Sequence, residues 1–153
     1  MSKIEIGKKA PAFSLDGTDG KWSMKDAAGP VVLYFYPKDN TSGCTQEGVD
    51  FAGLHAQFKK AKTTILGISP DTVASHEKFR AKMSFPFHLL SDPDHKVCDL
   101  FAVYKEKSMY GRKYMGVERS TFLIDAKGVI REEWRKVKVN GHAEAVLAAV
   151  KSL

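Results

Sequence analysis

An unbroken apolar run, Val31-Val32-Leu33-Tyr34-Phe35-Tyr36, stands out early in the chain. It is β-branched and aromatic, follows Gly29-Pro30, and ends at Pro37, which has no N–H to give a ladder. Such a run predicts a strand buried on both faces. Lys38 to Gly43 is polar and glycine-containing, which predicts a loop. Beyond it, Val49, Phe51 or Ala52, Leu54, Ala56 and Phe58 recur near helical spacing, predicting a helix up to Lys60. Thr41 and Ser42 are its candidate N-caps, and Glu47 lies in its early turns. Cys44 is thereby placed in the first turn of a helix that follows a central strand.

The rest of the pattern builds around this unit. Pro11 to Leu15, the turns Asp16-Gly17 and Asp19-Gly20, and Lys21 to Met24 predict a short hairpin, with Lys25 to Gly29 as a connector. Thr63 to Ser69 predicts a second buried strand, and strand, helix, strand in this order makes the two strands parallel. A helix is expected from Ser69-Pro70-Asp71-Thr72 to about Met83, with Val73, His76, Phe79 and Arg80 near one side. Phe87 to Leu90 is a short extended segment, and Asp92-Pro93-Asp94 caps a helix over His95 to Phe101 that carries Cys98. Tyr104 to Gly116, basic and glycine-punctuated, reads as a loop with a ragged strand. Ser120 to Ile124, the turn Asp125 to Gly128, and Val129 to Trp134 form a hairpin, and His142 to Leu153 an amphipathic helix burying Val146, Leu147 and Val150. The sum is an α/β protein of thioredoxin-like fold: a central mixed β-sheet flanked by helices, with an N-terminal β-hairpin extension.

A length of 153 residues fits a single domain, 1–153, which buries roughly 70% of its unfolded surface and needs no disulfide framework. With 43% hydrophobic and 27% charged residues, the composition is that of a soluble globular protein. Two cysteines 54 positions apart do not form a secreted scaffold. No apolar stretch approaches the ~20 residues that span a membrane. Met1 to Lys9 shows neither the apolar segment nor the cleavage site of a secretory leader. The expected location is cytoplasmic, where thiols stay reduced. The net charge of +6 is spread through the chain and mixed with acids, so it implies neither a nucleic-acid partner nor a membrane surface.

Cys44 carries the candidate chemistry. A thiolate is the nucleophile, and a free thiol of pKa near 8.5 is only roughly 3% ionised at pH 7. Unpaired N–H groups and the positive end of a helix dipole stabilise the thiolate. A small buried hydrophobe is the plainer reading of a lone cysteine, but strand, proline, polar loop and capped helix together favour a reactive one. Thr41 stands where a C-x-x-C motif would have its first cysteine, which disfavours dithiol exchange. A hydroxyl there can donate to, or accept from, a bound oxygen species. Arg119, just before the strand at Ser120, is the best-placed cation, and a surface arginine at a strand entrance fits its position equally well. The five histidines form no H-x-x-x-H pair, and His95 with Cys98 supplies only two ligands, so no metal is expected. No P-loop or G-x-G-x-x-G occurs, and no cofactor is implied.

These residues carry a resemblance. Pro37-x-x-x-Thr41-x-x-Cys44 resembles the peroxiredoxin active-site motif, and Tyr34 to Cys44 with Thr45 and Glu47 is similar to the peroxiredoxin Q, or bacterioferritin comigratory protein, subfamily. Leu66-Gly67-Ile68-Ser69-x-Asp71, Leu90-Ser91-Asp92, Lys105-Glu106-Lys107-x-Met109-Tyr110-Gly111 and Glu118 to Phe122 extend the likeness over nearly the whole chain. The resemblance implies a thiol peroxidase acting on hydrogen peroxide and alkyl hydroperoxides. Cys44 would be the peroxidatic cysteine that becomes sulfenic acid, with Pro37, Thr41 and Arg119 completing its pocket and Glu47 supporting the hydrogen-bond network. The expected partners are a hydroperoxide substrate and a reductant, thioredoxin or a low-molecular-weight thiol. A monomer is expected.

The chain departs from the family pattern where a resolving cysteine would stand. Val49 occupies the place five residues after Cys44, and Arg80 a second such place in the following helix. Ser42 replaces a common proline. Cys98, on a helix with Val97, Leu100 and Phe101, is then either a buried structural thiol or a resolving residue. A rival of another class is a non-enzymatic thioredoxin-fold redox sensor or binding protein that uses Cys44 oxidation as a signal.

Overall fold

The computed structural model describes residues 4–153; Met1 to Lys3, the start of the stretch read above for a leader, lie outside the described residues. The predicted central strand is β3 (Val31–Phe35), buried at all five positions. It is flanked on one edge by β4 (Thr64–Ser69) in parallel register, Val31 opposite Thr64 and Phe35 opposite Ile68. On its other edge β8 (Ser120–Ile124) runs antiparallel, Phe35 opposite Ser120. With both edges hydrogen-bonded and both faces covered, no charged position is tolerated, and none occurs. Beyond β4 lies β5 (His88–Ser91), and beyond β8 lies β9 (Ile130–Trp134), with a register shift at Leu123/Ile124. The predicted N-terminal hairpin is β1 (Ser14–Gly17) and β2 (Gly20–Ser23). It joins the main sheet through Gly17 opposite Leu90, giving the order β2-β1-β5-β4-β3-β8-β9. A Cβ on Gly17 would stand 2.6 Å from Leu90 Cδ2 and 2.8 Å from Leu89 O, so only glycine lets the hairpin approach β5.

The alternation of β3 divides the core in two. Val32 and Tyr34, with Tyr36 beyond the strand, enter one cluster with α1 (Ser42–Gly53), α2 (His55–Lys60), α3 (Val73–Met83) and α5 (His142–Lys151). Val31, Leu33 and Phe35 enter the other with α4 (Lys96–Leu100), Ile4 and the packed side of the N-terminal hairpin. Because strand side chains point alternately to opposite faces, these are the two faces of one sheet.

Three local expectations need correction. The helix drawn to Lys60 breaks at Leu54, whose backbone leaves helical geometry between α1 and α2; Phe51 and Phe58 are buried, but Val49 faces solvent. Helix α4 starts at Lys96, not His95, which takes a left-handed φ of 61°. Its capping acid is Asp92, whose carboxylate accepts from Val97 N at 3.2 Å and Cys98 N at 2.8 Å. Finally, Tyr104 to Gly116 is no ragged loop. It forms a regular antiparallel hairpin, β6 (Tyr104–Met109) and β7 (Arg112–Val117), separate from the main sheet. Most of its residues are exposed on both faces, so no apolar alternation marks it in the sequence.

Candidate active site

Pro37, half-buried, terminates β3, although Tyr36 N still bonds Ile68 O at 3.0 Å. The chain then turns through Lys38 to Asn40 into α1, where Cys44 is the third helical residue and 1% exposed. The first helical hydrogen bond runs from Thr45 N to Thr41 O at 2.8 Å. The N–H groups of Ser42, Gly43 and Cys44 therefore precede the ladder. Thr41 occupies the N-cap position, but its side chain does not cap: the hydroxyl donates to Lys38 O at 2.9 Å. The Thr41 oxygen keeps lone pairs for another donor.

Seventy-five residues downstream, Arg119 sits one residue before β8. The β3–β8 register brings that end of β8 beside the end of β3, and with it the start of α1. Arg119 Nη2 donates to Cys44 Sγ at 3.3 Å, while Nη1 donates to Glu47 Oε1 at 2.7 Å. The guanidinium thus bridges the thiol and the acid one turn below it. Gly43 leaves room for this, since a Cβ there would lie 3.1 Å from Nη2. Glu47 is 1% exposed, and its second oxygen, Oε2, has no partner among the described residues. Burial raises the Glu47 carboxyl to about 7, against the opposing pull of Arg119. Burial also keeps the Tyr34 hydroxyl well above its ordinary range, with Glu47 and Cys44 adding to the effect.

Cys98 is not part of this assembly. It is fully buried in the core of the opposite face of the sheet, and burial, with Asp92 beside it, pushes its thiol far above the usual range. A thiol so held is a poor nucleophile.

Sequence reasoning missed three contributors. Asp39 is buried and anchors the loop ahead of Thr41. Its carboxylate accepts from Tyr36 Oη at 2.6 Å and Ser75 Oγ at 2.8 Å and pairs with His76 Nδ1 at 2.7 Å, while its N–H reaches Asp71 Oδ2 at 2.8 Å. Asp39, Asp71 and His76 together could hold a metal ion, their ligating atoms lying within 4.8 Å of one another. Those atoms, however, are engaged in hydrogen bonds with Tyr36, Ser69 and Ser75. His142 is the second. Burial and, less strongly, Arg119 push it down to about 4, and its Nε2 meets Thr121 Oγ1 at 2.8 Å. Lys107 of β6, half-buried, is the third, lying within the field of both Arg119 and Cys44. Only Asp39, within the polar loop, stood near anything the sequence could mark; the other two are brought in by tertiary pairing.

Among the described residues no helix is long and apolar enough to cross a membrane. The AhpC/TSA family profile matches residues 6–133. Peroxiredoxin Bcp of Xanthomonas campestris is 56% identical over 122 residues, covering 80% of this chain and 76% of the relative. A peroxiredoxin Q cysteine-to-serine variant from Xylella fastidiosa superposes with a TM-score of 0.92 at 44% identity, covering 99% of this chain and 98% of the other. A structure of the Xanthomonas campestris bacterioferritin comigratory protein, described in connection with its alkyl peroxide reduction activity, gives 0.87 at 49% identity, covering 92% and 90%.

Proposed function

The chain belongs to the AhpC/TSA family, among its peroxiredoxins, and is a thiol-dependent peroxidase with a hydroperoxide substrate and a thiol reductant; on that premise we propose that Cys44 is its peroxidatic cysteine. The observation that carries the assignment is the Arg119 bridge, 3.3 Å to Cys44 Sγ and 2.7 Å to Glu47 Oε1, at the start of a helix whose first N–H groups are uncapped by a side chain.

The proposed reaction follows from these contacts. The Cys44 thiolate attacks one peroxide oxygen in line, an S–O bond forms, and the O–O bond breaks. The other oxygen departs with the bonding pair and takes a proton, leaving as water or alcohol, and Cys44 becomes sulfenic acid. Arg119 and the free N–H groups at the start of α1 stabilise the charge that moves from sulfur to the departing oxygen. Thr41, whose own proton goes to Lys38 O, accepts the peroxide O–H and orients it. Pro37 shields the sulfur from water. Glu47 fixes the guanidinium, and the Asp39 anchors fix the loop.

The second half-reaction uses an external thiol, either thioredoxin or a low-molecular-weight thiol, because Cys98 lies across the sheet from Cys44. We place the protein in the cytoplasm, acting as a monomeric single domain without cofactor or metal. The test is peroxide consumption with excess dithiothreitol. Multiple turnovers by the native protein, and none by a folded Cys44→Ser variant, support the proposal; near-normal turnover by that variant overturns it. One equivalent consumed without recycling would instead favour a sensor.

A further inference from the structure

Reduction of Cys44 sulfenic acid by an external thiol requires a surface on which the reductant can settle beside a sulfur that is 1% exposed. The β6–β7 hairpin supplies a surface of unusual composition there. Met109, Tyr110, Tyr114 and Met115 are all exposed on it, whereas the other exposed large apolar side chains among the described residues are scattered: Ile6, Val49, Leu100 and Leu153. The same hairpin carries Lys105, Lys107, Arg112 and Lys113 against a single carboxylate, Glu106. Register sorts these by face. Lys107 stands opposite Tyr114 and Met109 opposite Arg112, so these four share one face. The hairpin leads toward the reactive thiol: β7 ends at Val117, two residues before Arg119, whose Nη2 lies 3.3 Å from Cys44 Sγ.

The tip carries a second, independent signal. Tyr110 and Gly111 form a two-residue turn with φ of 52° and 77°, the geometry that favours Asn-Gly. A tyrosine in left-handed geometry costs about 1–2 kcal/mol. Six other described non-glycine residues also take positive φ; what sets Tyr110 apart is an aromatic ring standing 98% exposed at the tip. Aromatic, methionine and arginine side chains on one projecting element are the composition of an interface centre.

We propose that the β6–β7 hairpin is the docking element for an acidic protein dithiol that reduces oxidised Cys44. The inference deepens the proposed function and rests on it. One partner thiol attacks the Cys44 sulfur, forming a mixed disulfide and releasing water from the sulfenic oxygen and two protons. The second partner thiol attacks the partner's own sulfur, releasing Cys44 as thiolate and leaving the partner as its disulfide. The partner is oxidised by two electrons and Cys44 is reduced by two. The cationic face draws in an acidic partner, and the Tyr110 tip with Met109 and Tyr114 covers apolar surface around the partner's dithiol.

The test is steady-state peroxidase kinetics with an acidic bacterial thioredoxin, kept reduced by its reductase and NADPH, against dithiothreitol as a reductant that needs no docking. Arg112→Glu should raise the thioredoxin KM by about tenfold and flatten its salt dependence. The single-turnover peroxide rate and the dithiothreitol rate should stay within about twofold of the native values. Tyr110→Asn should raise thermal stability, by relieving the turn, and still raise the thioredoxin KM, a combination that a merely structural residue would not give. An unchanged thioredoxin KM in both variants, or an equal loss with dithiothreitol, overturns the proposal. So does a native protein that turns over with dithiothreitol but not with thioredoxin, and this leaves the role of Cys44 standing. A native protein that consumes no peroxide with either reductant overturns the reading of Cys44 itself.

Discussion

Replacing Arg119 by methionine removes one N–H donor 3.3 Å from Cys44 Sγ and the one ion-pair partner of Glu47 among the described residues, and the two losses can be told apart. Loss of one preorganised donor to a developing charge costs about 2.7–4 kcal/mol, so the peroxide step should slow by about 10² to 10³. Stability should change differently, because Glu47 can escape its unpaired charge by taking a proton. Its carboxyl is already raised from 4.5 to about 7 with Arg119 present, and without Arg119 it rises further. A group held above its unfolded value contributes stability that is fully present below that value and lost as pH rises through the folded one. Arg119→Met should therefore lose little stability at pH 6. At pH 8 the loss should grow by only about 1.4 kcal/mol, because protonation caps the cost at about 1.4 kcal/mol for each pH unit above the native value of about 7. In the double variant Arg119→Met/Glu47→Gln the stability should return at pH 8 while the rate does not. Stopped-flow peroxide consumption at pH 7 and urea midpoints at pH 6 and 8 measure both. A folded double variant that reduces peroxide within about threefold of the native rate would refute the role given to Arg119.

Glu47 and His142 also set opposing pH slopes. His142 is depressed from 6.5 to about 4, so its contribution is present above 6.5 and lost as pH falls toward 4, while that of Glu47 is lost as pH rises from 4.5 toward 7. Each is worth about 3 kcal/mol, and the native protein should be nearly flat over pH 4.5–6.5. Glu47→Gln should expose a rise in urea midpoint with pH and His142→Gln a fall; flat profiles in both would contradict these placements. Cys98→Ser should leave turnover with an external thiol nearly unchanged, and loss of recycling after one equivalent of peroxide would make Cys98 the resolving residue after all.

The unit of strand, loop and Cys44 helix was legible because every signal in it is local: a doubly buried run, a proline, a polar stretch and a resumed helical period. The same holds for the parallel pairing of β3 with β4, which follows from chain order. Arg119 was not decidable, because 75 residues separate it from Cys44 and only the β3–β8 register joins them. Asp39 and His76 are likewise joined only by the packing of α3. Thr41 was placed correctly as the residue before the helix, but its hydroxyl turns back to Lys38 O, a choice of rotamer that no pattern encodes. The β6–β7 hairpin was missed because a strand pair exposed on both faces leaves no period to read. The position of Cys98 relative to Cys44 follows from which face α4 covers, and that is set by the whole sheet.

Thiol mapping by mass spectrometry after one equivalent of peroxide, with dimedone present to trap sulfenic acid, tests the central claim most directly. The account predicts the adduct on the peptide carrying Cys44, an unmodified Cys98, and no disulfide between them. An adduct on Cys98, or a Cys44–Cys98 disulfide formed in the folded protein, would contradict it.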